Sequence, residues 1–291
     1  HHHLAILAYN NILRLDNNHV EALYEVGIFS YQNLSFIQEA YFYLERVFCI
    51  NSTYKSVTLH LGHIAFELEN YEKAKVHYLK ALNQENTDYS LYVNLGNIFF
   101  SEGDFLEAFN MFTKATEVNE KEPLAYFNLG NYYYQFEREY YKALEFYNKA
   151  LERDKNKVLF LAFYNSGCVY NELGNYEAAR DNFLEVLKYD SNNANALYNL
   201  ARCYYELKDY ENAKKYYELY LPLGSKELYS YAYFNLANIF FQENNIDNAI
   251  SYFRKALAAN PKDFLAAYNL GVVYYKIKFD YAKGQKFFQK A

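Results

Sequence analysis

The sequence predicts an all-α protein built as a solenoid of short helix pairs, and three observations predict it. A phrase of Asn, Leu and a small residue, set among aromatics, returns along the chain: LYVNLGNIFF at 91–100, AYFNLGNYYY at 125–134, ALYNLARCYY at 196–205, YFNLANIFFQ at 233–242 and AAYNLGVVYY at 266–275. Its small residue recurs at intervals of 34 to 37, as Gly27, Gly62, Gly96, Gly130, Gly167, Ala201, Ala237 and Gly271. A second small residue follows 12 or 13 positions later (Ala40, Ala74, Ala108, Ala143, Ala179, Ala213, Ala249, Gly284), with a large apolar or aromatic residue four beyond it (Leu44, Tyr78, Phe112, Tyr147, Phe183, Tyr217, Phe253, Phe288).

Each unit reads as two helices. Small residues at matching places let neighbouring helices approach, and the large residue four along lies on the same face and fills the space above. Residues 4–16 fit the second helix of a preceding unit, with Ala5, Tyr9 and Ile12 in phase. Eight units follow, at 20–54, 55–88, 89–122, 123–159, 160–193, 194–229, 230–263 and 264–291, expected to form one repeat domain over 20–291. Turn and cap residues divide the helices of a unit: Gly103-Asp104, Gly174-Asn175, Lys208-Asp209 and Asn244-Asn245. Asp104 with Glu107 has capping-box spacing, and Asn175 and Asp209 are placed to cap second helices. One-residue insertions fall near Ser35, Arg138 and Phe279, and two-residue ones near Asn156 and Gly224, all assigned to turns and loops. A lone helix pair cannot bury its apolar face, so the units must stack.

The chain has 291 residues, 52% apolar and 22% charged, which supplies a core and excludes disorder. A net charge of −6 with no Lys/Arg cluster argues against nucleic acid or an anionic membrane as partner. No apolar run reaches the roughly 18–20 residues of a membrane span, so a cytoplasmic protein without membrane insertion is expected. Cys49, Cys168 and Cys203 are too few and unevenly spaced for a disulfide framework or zinc site. HHH at 1–3 reads as the remnant of an expression tag, so the native N-terminus is expected to be missing. The sequons Asn33-Leu34-Ser35 and Asn51-Ser52-Thr53 read as chance matches in an Asn-rich chain.

The unit AYFNLGNYYYQFEREYYKALEFYNKALERD at 125–154 resembles a tetratricopeptide repeat, and its neighbours match the same small and aromatic positions in eight successive units. The departures are modest: the family's terminal Pro occurs only at Pro261, and the first unit is the least regular. The resemblance implies a right-handed α-solenoid with the first helices lining a concave surface. Two positions before each small residue stand Glu25, His60, Asn94, Asn128, Asn165, Asn199, Asn235 and Asn269, so six consecutive units put Asn at one place on that surface. Asn is an indifferent helix former, but its amide can clamp both C=O and N–H of a peptide backbone. With helices about 8–10 Å apart and extended chain rising about 3.3 Å per residue, six rungs would span about 45 Å, some 14 ligand residues. The bland reading is that these amides bond within the scaffold.

The groove is read as aromatic and amide-rich: beside the rungs stand Asn97, Asn131, Asn238, Tyr134, Tyr164, Tyr198, Tyr205, Phe234 and Tyr268, with Glu67, Glu172 and Glu206 making the rim slightly acidic. The blander account of many of these rings is packing between repeats. Only Arg202 and Lys276 supply positive charge there, two units apart, which argues against the basic clamp that some family members use on chaperone C-termini. The partner expected is a protein or peptide presenting a neutral to mildly basic extended segment. His60, His63 and Glu67, with Glu25 one unit away, have a spacing that could hold a metal, but the preferred account is polar groove residues or a chance cluster in a chain with few histidines. No phosphate loop, dinucleotide fingerprint, HExxH or nucleophile elbow occurs, so the reading is of a non-catalytic scaffold without cofactor or metal. Two rivals stand: a substrate-selecting arm of a larger enzyme such as O-linked N-acetylglucosamine transferase, or a structural subunit docking by its convex face or ends. Ala291 falls inside a second helix, so continuation into further sequence, fraying or end-to-end self-association through Phe287 and Phe288 is expected.

Overall fold

The structure is a computed structural model that describes residues 2–32, 36–154, 160–224 and 226–291. The first sequon and the insertions placed near Ser35 and Asn156 lie outside the described residues. Among the described residues there is no strand. Helix α1 spans His2–Leu15, and pairs follow: α2 Val20–Tyr31 with α3 Ile37–Ile50, α4 Val57–Glu67 with α5 Tyr71–Asn83, α6 Tyr89–Glu102 with α7 Phe105–Val118, and α8 Pro123–Tyr132 with α9 Tyr140–Arg153. The second half continues with α10 Phe160–Glu172 and α11 Tyr176–Tyr189, α12 Ala194–Glu206 and α13 Tyr210–Tyr220, α14 Lys226–Gln242 and α15 Ile246–Ala259, and α16 Phe264–Val272 and α17 Tyr281–Lys290. Even-numbered helices are thus the first helices of the units. The chain falls into two compact units, His1–Glu139 with Glu152–Lys155, and Tyr140–Leu151 with Asn156–Ala291. Each is an all-α stack.

The small residues do what their spacing implies. A methyl group on Gly96 would stand 2.5 Å from Phe112 Cε1, and one on Gly62 would stand 2.6 Å from Tyr78 Cδ1. The second-helix ring therefore lies flat on the bare backbone of the first helix. Tyr78, Phe112, Phe183, Tyr217 and Phe253 are accordingly buried, as are the second small residues Ala74, Ala108, Ala179, Ala213 and Ala249. Burying a ring of this size is worth about 1.5–3 kcal/mol, and the motif repeats it through the units between the first and the last. At α16 and α17 the pattern opens: Tyr268 and Phe288 are exposed where their counterparts Tyr24, Leu59, Tyr78 and Phe112 are buried.

Second helices are capped at equivalent places by Asn70, Asp104, Asn175, Asp209, Asn245 and Asp280, each accepting from the backbone N–H three residues on. At Asp104 the cap is one-sided among the described residues, the Glu107 N–H donating to the Asp104 carboxylate. Before each of these caps, and at Arg138 ahead of α9, one residue turns left-handed: Glu69, Gly103, Arg138, Gly174, Lys208, Asn244 and Phe279. Only two are glycines, where positive φ carries no steric cost.

Two insertions do not sit where the sequence reading puts them. The left-handed residue is seven positions after the marker in most units but eight after Gly130 and Gly271. The additional residue is absorbed earlier, as a π-helical turn at Tyr133–Glu137 and again at Val273–Ile277. Widening the last helical turn accommodates one residue, and after the second of these turns Asp280 caps α17 as its counterparts cap theirs.

Candidate functional site

Unit by unit, the Asn side chains are bonded to the scaffold. Asn94 Nδ2 donates to the Tyr78 hydroxyl at 2.9 Å, and Asn235 Nδ2 donates to the Tyr217 hydroxyl at 2.8 Å. Asn128 instead donates to Asn97 Oδ1 at 2.8 Å, Asn269 to Asn238 Oδ1 at 3.2 Å, and Asn199 to the Tyr164 hydroxyl at 3.3 Å and the Asn195 carbonyl at 3.0 Å. One substitution sorts these cases. Where the preceding second helix carries Tyr (Tyr78, Tyr217), its hydroxyl takes the amide. Where it carries Phe (Phe112, Phe183, Phe253), nothing is offered there, and the amide turns to a side chain on the preceding first helix. The Tyr/Phe alternation was visible in the sequence and is the signal that reading missed.

These bonds commit the Nδ2 of Asn94, Asn128, Asn235 and Asn269 once and that of Asn199 twice, and leave the Oδ1 of these five without a protein partner among the described residues. The bidentate clamp expected of a free Asn is therefore reduced to an acceptor and, except at Asn199, the second N–H. Asn128 is buried; Asn94, Asn165, Asn199, Asn235, Asn269, Asn97, Asn131 and Asn238 are half-buried.

The aromatic neighbours divide differently. Tyr164 packs edge-on against Phe183, Tyr198 against Tyr217, Phe234 tilts on Phe253 and Tyr268 on Phe288, with ring centroids 5.7–6.0 Å apart. These rings spend one side on the second helix of their own unit, the packing role weighed above. Tyr205 sits against Tyr210, and Tyr134 is half-buried in the same row. Arg202 is exposed beside Tyr198; burial raises the Tyr198 hydroxyl against the lowering pull of that guanidinium. Glu172 and Glu206 are exposed on the rim.

The side chains of the histidine helix are engaged by neighbouring helices. Among the described residues no group of three His, Cys, Asp or Glu side chains could hold a metal ion. Glu67 accepts from Tyr31 Oη at 2.8 Å, Glu25 from Lys55 at 2.8 Å, and His60 lies edge-on to Tyr24. His63 belongs to a chain of bonds whose direction Asp88 dictates. Burial alone would raise Asp88, but bonds from the Ser90 hydroxyl and the Leu91 and Ser90 amides outweigh it and hold the carboxyl below the usual range. An ionised Asp88 can only accept, so Ser90 spends its proton on it. His63 Nε2–H must then donate to Ser90 Oγ at 3.2 Å, leaving bare Nδ1 to accept from Tyr78 Oη at 2.9 Å, which in turn accepts from Asn94. The residue types are those of a serine nucleophile site, but the serine proton points away from the histidine, opposite to what a general base requires. Burial lowers His63 against the opposing pull of Asp88.

The cysteines are separate. Cys203 is buried with its thiol donating to Asn171 Oδ1 at 3.2 Å, burial pushes it up to about 12, and Cys168 is also raised by burial. Neither is a ready thiolate. Asn51 of the second sequon is tied to Thr53 through its side-chain oxygen. No described helix is long and apolar enough to cross a membrane.

Comparison with known proteins agrees with this architecture. Tetratricopeptide repeat family models match residues 58–88 and 124–157, 164–227 and 230–263, and a TPR repeat model matches 96–135. No curated protein matches the sequence. Among solved structures, the C-terminal part of a TPR repeat-containing protein from Cytophaga hutchinsonii aligns with a TM-score of 0.67 at 18% identity, covering 84% of this chain and 97% of that one. YrrB, described as a TPR protein with an unusual peptide-binding site, aligns at 0.59 and 21% identity over 65% of this chain and 95% of its own. The APC/C assembly Cut9-Hcn1 aligns at 0.53 and 14% identity over 96% of this chain and 53% of that one. These likenesses are to the fold. With the period, the paired helices and the matches running through both halves, the chain belongs to the tetratricopeptide repeat family.

Proposed function

We propose that the chain is a non-catalytic interaction scaffold that holds an extended segment of a partner protein along the face of its first helices. The row of Asn side chains carries this reading: at Asn94, Asn128, Asn199, Asn235 and Asn269 the Nδ2 is anchored in the scaffold and the Oδ1 is left without a protein partner among the described residues. Anchoring fixes each acceptor in place, so a ligand N–H is met without the entropic cost of ordering the amide. The half-buried Tyr164, Tyr198, Tyr205 and Phe234 supply apolar contact between rungs, and the exposed Glu172 and Glu206 favour a neutral to mildly basic segment. That YrrB is described by its peptide-binding site and Cut9 by its place in an assembly supports the same class of role.

The test pans a displayed library of random peptides, about 14 residues long, against the chain and measures the enriched sequences in solution. Asn199→Ala with Asn235→Ala should weaken them by about tenfold to a hundredfold, the loss of two partly desolvated hydrogen bonds. Tyr217→Phe removes the scaffold bond of Asn235 but keeps its amide, so it controls for stability and should bind nearly as wild type. Equal affinity in the double Asn variant would place binding elsewhere.

A further inference from the structure

Between α14 and α16 the face deepens into a cavity of about 230 Å³, lined by Asn238, Phe241, Gln242, Phe253, Asn269 and the pair Val272–Val273. The cavity lies at the mouth of the π-helical turn Val273–Ile277. Phe253 is 1% exposed and Val273 is 1% exposed, so floor and one wall are core side chains. No charged side chain lines the space. Its polar groups are carboxamides.

The single bond from Asn269 Nδ2 to Asn238 Oδ1, 3.2 Å, fixes what the pair offers. It consumes one donor and one acceptor, leaving Asn238 Nδ2 as donor and Asn269 Oδ1 as acceptor, side by side. Turning both amides over would exchange which residue supplies which, but the pair would still present one of each. Gln242 adds a further donor and acceptor at the rim. An ion would enter without a countercharge, at a high desolvation cost. An apolar group would leave both amides unpaired, which costs about 1–3 kcal/mol per group. A planar group carrying C=O and N–H on one end satisfies both. Phe253 and Val273 close the space on its core side, so the group must be terminal; a main chain would need to enter and leave. The related pair Asn97–Asn128 has Asn131 and Tyr132 where Val272 and Val273 line this space.

We propose that this cavity is a specificity pocket for a primary carboxamide, the side chain of an Asn or Gln in the partner's extended segment. Its C=O accepts from Asn238, its NH₂ donates to Asn269, and its methylenes lie against Phe241 and Val272. This deepens the groove reading and rests on it for the identity of the ligand as a protein segment.

The experiment titrates the ¹⁵N-labelled chain with N-methylamide-capped tripeptides Ala-Xaa-Ala, where Xaa is Gln, Asn, Glu, Leu or Ala, and follows the side-chain amide signals of Asn238, Asn269 and Gln242. The Gln or Asn peptide should shift them saturably and at least tenfold more tightly than Glu, Leu or Ala. Val272→Phe, which fills the cavity and leaves both amides in place, should abolish the response, and so should Asn269→Leu. Equal response to the Ala peptide would mean backbone capture, preference for Leu would mean an apolar pocket, and no saturable response from any peptide would mean no pocket; each overturns the assignment. The peptides reach at most one rung beyond the pocket, far short of the row, so failure of the panned library alone leaves this result standing, and success there with none here sinks only the pocket.

Discussion

Asn94 and Asn269 occupy the same position of the repeat and are held in different ways. Behind Asn94 the second helix carries Tyr78, whose hydroxyl ties the amide to His63, Ser90 and Asp88 in one directed chain. Behind Asn269 it carries Phe253, the amide swings to Asn238, and a cavity remains above the ring. A single oxygen atom thus decides whether a rung is part of a closed polar network or one half of an open pair. The lesson concerns repeats in general: identical helices stacked by identical packing can present unlike surfaces, because a buried polar atom must find a partner and dictates where its neighbours point.

The largest way to break the contrast is through the glycines on which the rings rest. Gly62→Ala puts a methyl 2.6 Å from Tyr78 Cδ1, displacing the ring and with it the hydroxyl that organises His63 and Asn94. Overpacking of about 1–3 kcal/mol and an orphaned network of similar size outweigh the roughly 1 kcal/mol gained in helix propensity, for a net loss of about 2–3 kcal/mol. Gly96→Ala meets Phe112 Cε1 at 2.5 Å, but that ring carries no polar partner, so the net loss should be about 1 kcal/mol. Denaturant midpoints on the two variants rank them; Gly96→Ala costing as much as Gly62→Ala would mean the network contributes nothing.

Removing the hydroxyl without touching the ring sharpens the same point. Tyr78→Phe leaves His63 Nδ1 without its donor and Asn94 without its acceptor, and should cost about 1–2 kcal/mol. Tyr217→Phe recreates the surroundings of Asn199, whose amide uses Tyr164; Tyr198 is the equivalent hydroxyl for Asn235, so the bond can re-form and the loss should stay below about 1 kcal/mol. Equal losses would show that the amide cannot turn.

Acid separates the two regions further. Burial lowers His63, and it lowers His77 to about 4, with Lys80 and Lys73 adding to the effect. His77 is enclosed by Tyr41, which reaches its Nε2 at 3.2 Å, and by the edge of Phe48. A histidine held below its ordinary range is protonated first in the unfolded chain, so stability is complete above about pH 6.5 and declines as pH falls toward the folded values. The slope is at most about 1.4 kcal/mol per pH unit for each histidine. Asp88, held low, adds loss of the same sign at lower pH. Urea midpoints between pH 7 and pH 5 should fall in wild type and fall less in Tyr78→Phe, where His63 no longer needs a bare Nδ1. An unchanged slope in that variant would detach His63 from the chain of bonds.

The architecture was legible because it depends on spacing. Gly96 with Phe112, and Gly62 with Tyr78, are read from distance along the chain, and so are the caps at Asp104, Asn175 and Asp209. The insertions at Arg138 and Phe279 were detected but assigned to the turn. Counting residues shows that one is added, whereas the backbone decides where it is least costly, and a widened last helical turn spares the cap at Asp280. The rungs were found by position, but the wiring was not: it depends on which neighbour lies within about 3 Å, a matter of inter-helix register that Tyr against Phe at one position signals only once the stacking is known. The histidine cluster failed as a metal site for a related reason. Helical spacing brings His60, His63 and Glu67 to one face, yet Tyr24, Tyr78 and Tyr31 from other helices claim them first.

The smallest expected effect comes from a polar atom that has no wiring at all. Ser166 stands where the other units carry Val26, Leu61, Leu95, Leu129, Leu200, Leu236 and Leu270, directly before the small residue of the motif. It is 2% exposed, and its hydroxyl is sealed from solvent without a hydrogen-bond partner. Unlike the amides one position before it in the motif, it gains nothing from being polar and bears the desolvation cost of burial. Ser166→Ala removes the hydroxyl, keeps the small volume and improves helix propensity slightly, so it should raise stability by about 0.5–1 kcal/mol, seen as a higher urea midpoint. The comparison that gives the number meaning is Asn128→Ala, equally interior but bonded to Asn97, which should lower the midpoint by a similar amount. If both substitutions move the midpoint the same way, burial alone governs these helices; opposite signs would show that a polar side chain in this stack is tolerated only where another side chain answers it.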